Sequence, residues 1–322
     1  MASGVYIGID IGGSGIDAGL CGADGALITR GRTPVVSGAE RGDILRDTRL
    51  LLRSLISGAG VSNGDVLGIG VGIPGSFDGE RGEILYTANM PLGGLNIAEE
   101  LGCDFAAPVH LENDANCAAL GEKQAPGREM IEDMVFVTVG TGIGGGVIAG
   151  GEIYRGFNSA AGEIGHMVIE RGGRMCACGR RGCWERYASA TALTEAAVRL
   201  AESGRGAAVR RLCGDDLSRV SAKTPFDAAR QGDAAARRLI DEYISYLACG
   251  IANLVNILEP QLVCIGGGVS REPDEWLLGP LRDAVYREAY PHGRARTRLE
   301  SAHFTEDSGI IGAAALCRSK VS

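Results

Sequence analysis

Ile7 to Leu20, IGIDIGGSGIDAGL, and Val137 to Ile148, VTVGTGIGGGVI, are the two stretches on which the reading of the fold turns. Each is an apolar run broken by a Gly-rich turn, the pattern of two strands joined by a tight hairpin. Each also precedes an apolar strand ending in glycine, Leu67 to Gly75 (LGIGVGIPG) in the first case and Leu262 to Ser270 (LVCIGGGVS) in the second. This internal echo predicts two α/β domains of one topology with a cleft between them.

Working outward, Asp24-Gly25 marks a further hairpin after the first pair of strands. Helical spacing follows at Ile44, Leu45, Thr48, Leu51, Leu52 and Leu55, stopped by Gly58. The segment VHLENDANCAALGE, Val109 to Glu122, reads as a strand running directly into a helix. In the second half Ser189 can cap a helix carrying Leu193, Ala197 and Leu200, and a longer helix begins near Asp233 and ends before Pro260. The last apolar stretch, GIIGAAALC at 309–317, is expected to form a short helix that packs back on the first domain. The division expected is residues 1–121 plus 305–322 as a smaller N-terminal domain, and 122–304 as a larger C-terminal one.

A length of 322 residues suits two such domains. The net charge of -8 gives no support to nucleic-acid or membrane binding, and Arg294, Arg296 and Arg298 read as a solvated basic face. The 51 glycines are more than twice the usual share of roughly 7%. They point to tight hairpins and to loops that let backbone approach phosphate closely. Ten cysteines without a secretory signal pattern favour a reducing cytosol, so the location expected is cytoplasmic. Seven of them are scattered, as small buried hydrophobes usually are. The uncharged run from Met134 to Gly151 is too rich in glycine for a membrane span and fits a pair of strands better.

Three glycine turns are candidates for a nucleotide. Gly12, Gly13 and Ser14 follow Asp10, an acid able to hold a hydrated magnesium ion. Thr141 and Gly142 open a second turn, and Gly266, Gly267 and Gly268 end a third strand where a base or sugar could lie. The plain alternative for the first two is a glycine-rich hairpin, and neither carries the Lys of a Walker loop. Asn113-Asp114 sits at a strand-to-helix junction, where Asp114 could accept the proton of an attacking hydroxyl or simply cap the helix. From Glu163 to Glu185 one Gly-rich connection gathers His166, Cys176, Cys178 and Cys183, three thiols and an imidazole suited to a closed tetrahedral zinc site. Glu163 and Glu185 bracket that cluster, so a metal fixing the loop would fix both carboxylates.

Together these residues resemble the ROK family of sugar kinases and sugar-responsive repressors. The resemblance is carried by DIGGSGI at 10–16, GIPG at 72–75, ENDAN at 112–116, GTGIGGG at 140–146, GEIGH at 162–166, CACGRRGCWE at 176–185 and IGGGV at 265–269. GEIGH followed by CxCGxxGCxE is the specific part. The resemblance implies an actin-like (ribonuclease H-like) two-domain ATPase fold, a structural zinc on His166, Cys176, Cys178 and Cys183, and a homodimer or homotetramer. It casts Asp114 as the catalytic base and Asn113, Glu163, His166 and Glu185 as ligands of sugar hydroxyls, with Gly75 and Asn89 as further contacts. The implied reaction is transfer of the γ-phosphoryl group of Mg-ATP to the 6-hydroxyl of a hexose.

Two departures from the family pattern bear on this. Where family kinases often read GGTK, this chain reads Gly12-Gly-Ser-Gly15, without the lysine. The segment ANMPLGGLN at 88–96 lacks the Trp common in family glucokinases and looks closer to allose-kinase-type members. Glucose is the first expectation, with allose or N-acetylmannosamine next. A sugar-sensing repressor is the competing class, set back here because the first strand starts by about Val5, where such members carry a helix-turn-helix domain. A catalytically silent sugar-binding protein is the third.

Overall fold

A computed structural model describes residues 4–79, 81–87, 90–290 and 296–321. Strands β1 (Val5–Gly12), β2 (Gly15–Gly22), β3 (Leu27–Pro34), β4 (Val66–Ile73) and β8 (Val109–Asn113) form one five-stranded sheet in the order β3-β2-β1-β4-β8. Short β5 (Ser76–Asp78), β6 (Glu83–Tyr86) and β7 (Leu95–Asn96) make a separate three-stranded sheet. Strands β9 (Met134–Val139), β10 (Ile143–Ala149), β11 (Glu152–Ile153), β12 (Leu262–Gly266) and β13 (Arg298–Ser301) form a second five-stranded sheet in the order β11-β10-β9-β12-β13. The two large sheets therefore share one strand order, with each glycine-turn hairpin followed by a parallel neighbour, as the sequence echo predicts.

The helices are α1 (Arg41–Gly58), α2 (Ile97–Phe105), α3 (Asp114–Lys123), α4 (Glu185–Ala188), α5 (Ala190–Glu202), α6 (Ala207–Cys213), α7 (Lys223–Arg230), α8 (Ala234–Leu258), α9 (Leu278–Glu288) and α10 (Ser308–Val321). Local chemistry sets their ends. Helix α1 starts with a capping box between Glu40 and Asp43 and buries Ile44, Leu45, Thr48, Leu52, Leu55 and Ile56. The Ser189 hydroxyl accepts from the Ala192 amide to start α5, and Asp233 accepts from Ala235 and Ala236 to start α8. No helix among the described residues is long and apolar enough to cross a membrane. Arg296 and Arg298 are exposed, whereas Arg294 lies outside the described residues. Of the scattered cysteines, Cys103 is exposed and Cys249 half-buried, while the rest are buried.

The chain forms two compact units, Met1–Glu132 with Gly146–Gly162 and His303–Ser322, and Asp133–Gly145 with Glu163–Ala302. The first thus reaches past the division at residue 121 read from the sequence, and it takes back 146–162 as well. Side chains distant in sequence hold those segments. The Lys123 ammonium donates to the Gly151 carbonyl at 2.8 Å, and the Arg155 guanidinium meets Glu112 at 2.6 Å. Glu122, fully buried at the end of α3, accepts from the His303 and Phe304 amides at 2.7 and 2.9 Å, from the Ser308 hydroxyl at 2.5 Å and from Arg128 at 2.6 Å.

Burial pushes the Glu122 carboxyl up, but the Ser308 hydroxyl, the two amides and Arg128 outweigh it and hold the group below its ordinary 4.5. With the folded value below the unfolded one, this stabilisation is complete above about pH 5 and is lost as the pH falls through the carboxylate range. Glu122→Ala should cost about 3 to 5 kcal/mol, since it removes the carboxylate from a buried charge pair with Arg128. Urea unfolding at pH 7 measures this, and the difference from the parent should shrink toward pH 4. A variant as stable as the parent at pH 7 would show that the hub is dispensable.

Candidate active site and metal centre

In the first unit the site is built on the ends of β1 and β8. Strand β8 runs into α3 at Asn113, whose side-chain oxygen accepts from the Ala115 and Asn116 amides at 2.9 and 3.2 Å. The helix cap is therefore Asn113, not Asp114, and Asp114 begins the helix proper. This leaves the Asp114 carboxylate, half-buried, in the first turn, where the helix dipole favours its charge. Behind it sits a residue that the motif reading passed over. Glu112, 1% exposed, accepts from the Asn113 amide at 3.0 Å, from the Asn116 side chain at 2.9 Å and from Arg155. Its only signal in the sequence is a carboxylate next to Leu111 within the short strand VHLEN.

Asp10 stands near the end of β1, two residues before the Gly12–Gly15 turn, which leaves Gly13 and Ser14 exposed. The surrounding protein pushes its carboxyl up to about 7, burial first and then repulsion from Asp114 and Asp17, against the attraction of Arg32. Asp10 and Asp114 thus lie close enough to feel each other's charge. A carboxylate held at this disadvantage suits a divalent cation, which would take one or two carboxylates and leave its other positions to phosphate oxygens and water. Gly75 adopts a φ of 126°, and a Cβ there would lie 2.1 Å from the Tyr86 carbonyl oxygen. Glycine is therefore required at 75 by the backbone itself. Asn89 lies outside the described residues.

In the second unit the loop from Glu163 to Glu185 gathers His166, Cys176, Cys178 and Cys183, with their ligand atoms all within 4.8 Å of one another. Cys178 and Cys183 sulfurs are 3.6 Å apart, and Cys176 Sγ is 3.7 Å from His166 Nδ1. A zinc ion with bonds of about 2.3 Å to sulfur spaces two sulfurs about 3.8 Å apart in a tetrahedron, so the donor set fits. Nδ1 is the imidazole nitrogen turned to the sulfurs, which leaves Nε2 for another partner. Glu185 Oε1 lies 3.0 Å from Cys176 Sγ, and its other oxygen would be 2.9 Å from a Cβ on Gly142. The structure therefore brings Glu185 together with both the cluster and the Thr141-Gly142 turn. Glu163 is exposed, directly before the short turn that carries His166.

Trp184, whose role the spacing of the Cys and His residues does not reveal, anchors this loop. It is fully buried, its indole N–H donates to the Tyr246 carbonyl at 2.8 Å, and its ring occupies the space that a side chain at Gly250 of α8 would need. The third glycine run serves packing more than expected. A Cβ at Gly266 would meet the Phe136 ring at 2.5 Å and one at Gly267 the Val139 carbonyl oxygen at 2.4 Å, whereas Gly268 faces open space. Elemental analysis of the purified protein should find about one zinc per chain. Cys183→Ser should lose that zinc and lower the melting temperature. A metal-free parent that is equally stable would refute a zinc centre.

The family model described as "ROK family" matches residues 6–320. A glucokinase of Thermotoga maritima is 36% identical over 318 residues, covering 98% of each chain. A putative xylose repressor of Caldicellulosiruptor sp. is 33% identical, over 97% of this chain and 78% of the repressor. Among solved structures, a ROK family glucokinase from Streptomyces griseus in complex with glucose and AMPPNP superposes with a TM-score of 0.82 at 30% identity, covering 98% of this chain and all of that one. With a match from one end to the other and the paired strand orders already described, the chain belongs to the ROK family and has the actin-like ATPase fold of its sugar kinases.

Proposed function

We propose that the protein is an ATP-dependent kinase that phosphorylates a hexose, glucose first, at its 6-hydroxyl. The observation that carries this reading is Asp114. It begins α3 beside the Asn113 cap and next to buried Glu112, which pairs with half-buried Arg155, and lies within electrostatic reach of Asp10 beside the first phosphate turn. The glucokinase relatives support the acceptor, and the AMPPNP and glucose bound by the Streptomyces griseus protein support the donor and the sugar.

In this reading the sugar oxygen attacks the γ-phosphorus, its proton passes to Asp114, and the bond to the β-phosphate oxygen breaks to release ADP. Gly12, Gly13, Ser14, Thr141, Gly142, Gly266, Gly267 and Gly268 are assigned to the nucleotide. Asp10 would hold magnesium, which when bound neutralises charge on the phosphates. Gly75, Asn89, Asn113, Glu163, His166 and Glu185 are assigned to the sugar. Zinc held by His166, Cys176, Cys178 and Cys183 would fix the loop and stay away from the reacting atoms. His166 can then offer Nε2 to a hydroxyl while Nδ1 stays with the metal.

The xylose repressor relatives favour a second reading, a sugar-responsive sensor that binds its ligand without turnover. A coupled assay over glucose, allose and N-acetylmannosamine, with ATP or polyphosphate as donor, separates the two. Turnover with ATP is expected, and Asp114→Asn should lower kcat by about 10²- to 10⁴-fold with the melting temperature unchanged. Sugar binding by calorimetry with no turnover on any donor would favour the sensor, and near-normal turnover by the Asn variant would remove Asp114 as base.

A further inference from the structure

One register line crosses three strands of the first sheet. Asp10 of β1 faces Asp17 of β2, and Asp17 faces Arg32 of β3. Residues directly opposite in neighbouring strands project to the same face, so a guanidinium closes a row that begins at Asp10. One side of that guanidinium is taken up, with Nη1 3.1 Å from an Asp17 carboxylate oxygen. The other side is turned toward the Gly12–Gly15 turn. Nη2 lies 3.5 Å from the Ser14 hydroxyl, and a Cβ built on Gly15 would stand 2.9 Å from Nη2 and 3.0 Å from Nε.

Arg32 therefore occupies the space that a side chain at residue 15 would fill. Gly15 is not among the glycines with left-handed backbone, so the turn's geometry does not demand glycine there. The neighbour that a side chain there would have to displace is the guanidinium, the mobile end of Arg32. The turn itself, Gly12-Gly-Ser-Gly15, bears no charge, and Asp10 and Asp17 beside it are both acidic. A polyphosphate approaching these amides needs a cation, and the other arginine of β3, Arg30, is engaged with Asp307 and Glu306. The Arg32 side chain is 57% exposed, which leaves its fork open to an anion.

Resting on the kinase reading, we propose that Arg32 is a donor-binding residue that supplies the positive charge of the first phosphate turn and grips the terminal phosphates of the nucleotide beside Ser14. A guanidinium suits this because its parallel N–H groups match two phosphate oxygens at once. If Arg32 served only as an exposed cross-strand partner of Asp17, it would add little to stability and nothing to nucleotide affinity.

The test measures Mg-AMPPNP binding by calorimetry and the KM values of ATP and sugar in steady state. Arg32→Ala should weaken Mg-AMPPNP and raise the ATP KM by about tenfold or more, with the sugar KM and the melting temperature unchanged. Arg32→Lys should fall between the two. Adding Gly15→Lys to Arg32→Ala should recover much of the affinity, because the vacated space then admits a cation from the turn. The same Gly15→Lys in the presence of Arg32 should gain nothing. Parent-like Mg-AMPPNP affinity in Arg32→Ala overturns the assignment while leaving the kinase reading intact. A parent protein that binds no Mg-AMPPNP overturns both.

Discussion

The first unit depends on how closely the backbone of α10 is seated against β1, β4 and α3. A Cβ at Gly8 would lie 1.9 Å from the Ile310 carbonyl oxygen, and one at Gly70 would lie 1.7 Å from that of Ala313. From the other side, a Cβ at Gly121 of α3 would meet the Ser308 carbonyl oxygen at 2.0 Å, and one at Gly312 would meet that of Cys117 at 1.6 Å. Rigid backbone cannot yield at such distances, so these four positions are glycine for reasons of contact. The consequence reaches the chemistry. β1 delivers Asp10, α3 begins with Asp114, and Gly309 at the start of α10 abuts the Asp10 carboxylate. The spacing of the two acids is thus set by a helix from the far end of the chain, which Glu122 holds by its first turn.

The loop of the second unit is positioned by two kinds of force. Packing acts through Trp184, whose ring lies on Gly250 and whose N–H is satisfied by Tyr246, and through Gly165, where a Cβ would lie 2.1 Å from the Ile143 carbonyl oxygen. The thiols and imidazole act locally, gathering the chain from His166 to Cys183 into one cluster. Glu185 follows Trp184 and touches Cys176, so a carboxylate at the edge of the cluster inherits the order of both. A metal would add to this arrangement rather than create it alone.

Much of the site could be read from residue types and spacing. The Cys and His residues stand within one connection, and the glycine turns follow apolar strands, so short-range pattern suffices to find them. Glu112, Arg155 and Arg32 could not be found that way. Each acts across a sequence gap, Arg155 on Glu112 over 43 residues and Arg32 on Ser14 over 18, and spacing along the chain does not reveal which distant group a charged side chain will meet. The glycine excess has a further cause that composition does not reveal. Composition points to tight turns and to backbone cleared for phosphate, and glycines such as Gly25 and Gly75 do take positive φ, yet Gly8, Gly70, Gly121, Gly266, Gly267 and Gly312 are cleared for helices, rings and strands of the protein itself.

The sequence by itself determined the local pieces and their kinship. Hydrophobic period, glycine turns and capping residues fixed the strands and helices, and the echo of IGIDIGGSGIDAGL in VTVGTGIGGGVI fixed two sheets of one order. These are properties of neighbours along the chain, so they survive in a one-dimensional reading. Only the tertiary structure decided that segments 122–132 and 146–162 belong to the first unit, that Asn113 rather than Asp114 caps α3, and that Arg32 stands over the bare turn at Gly15. Each of those depends on which backbone and which charge come to lie against a given residue, and that is settled by packing between distant segments.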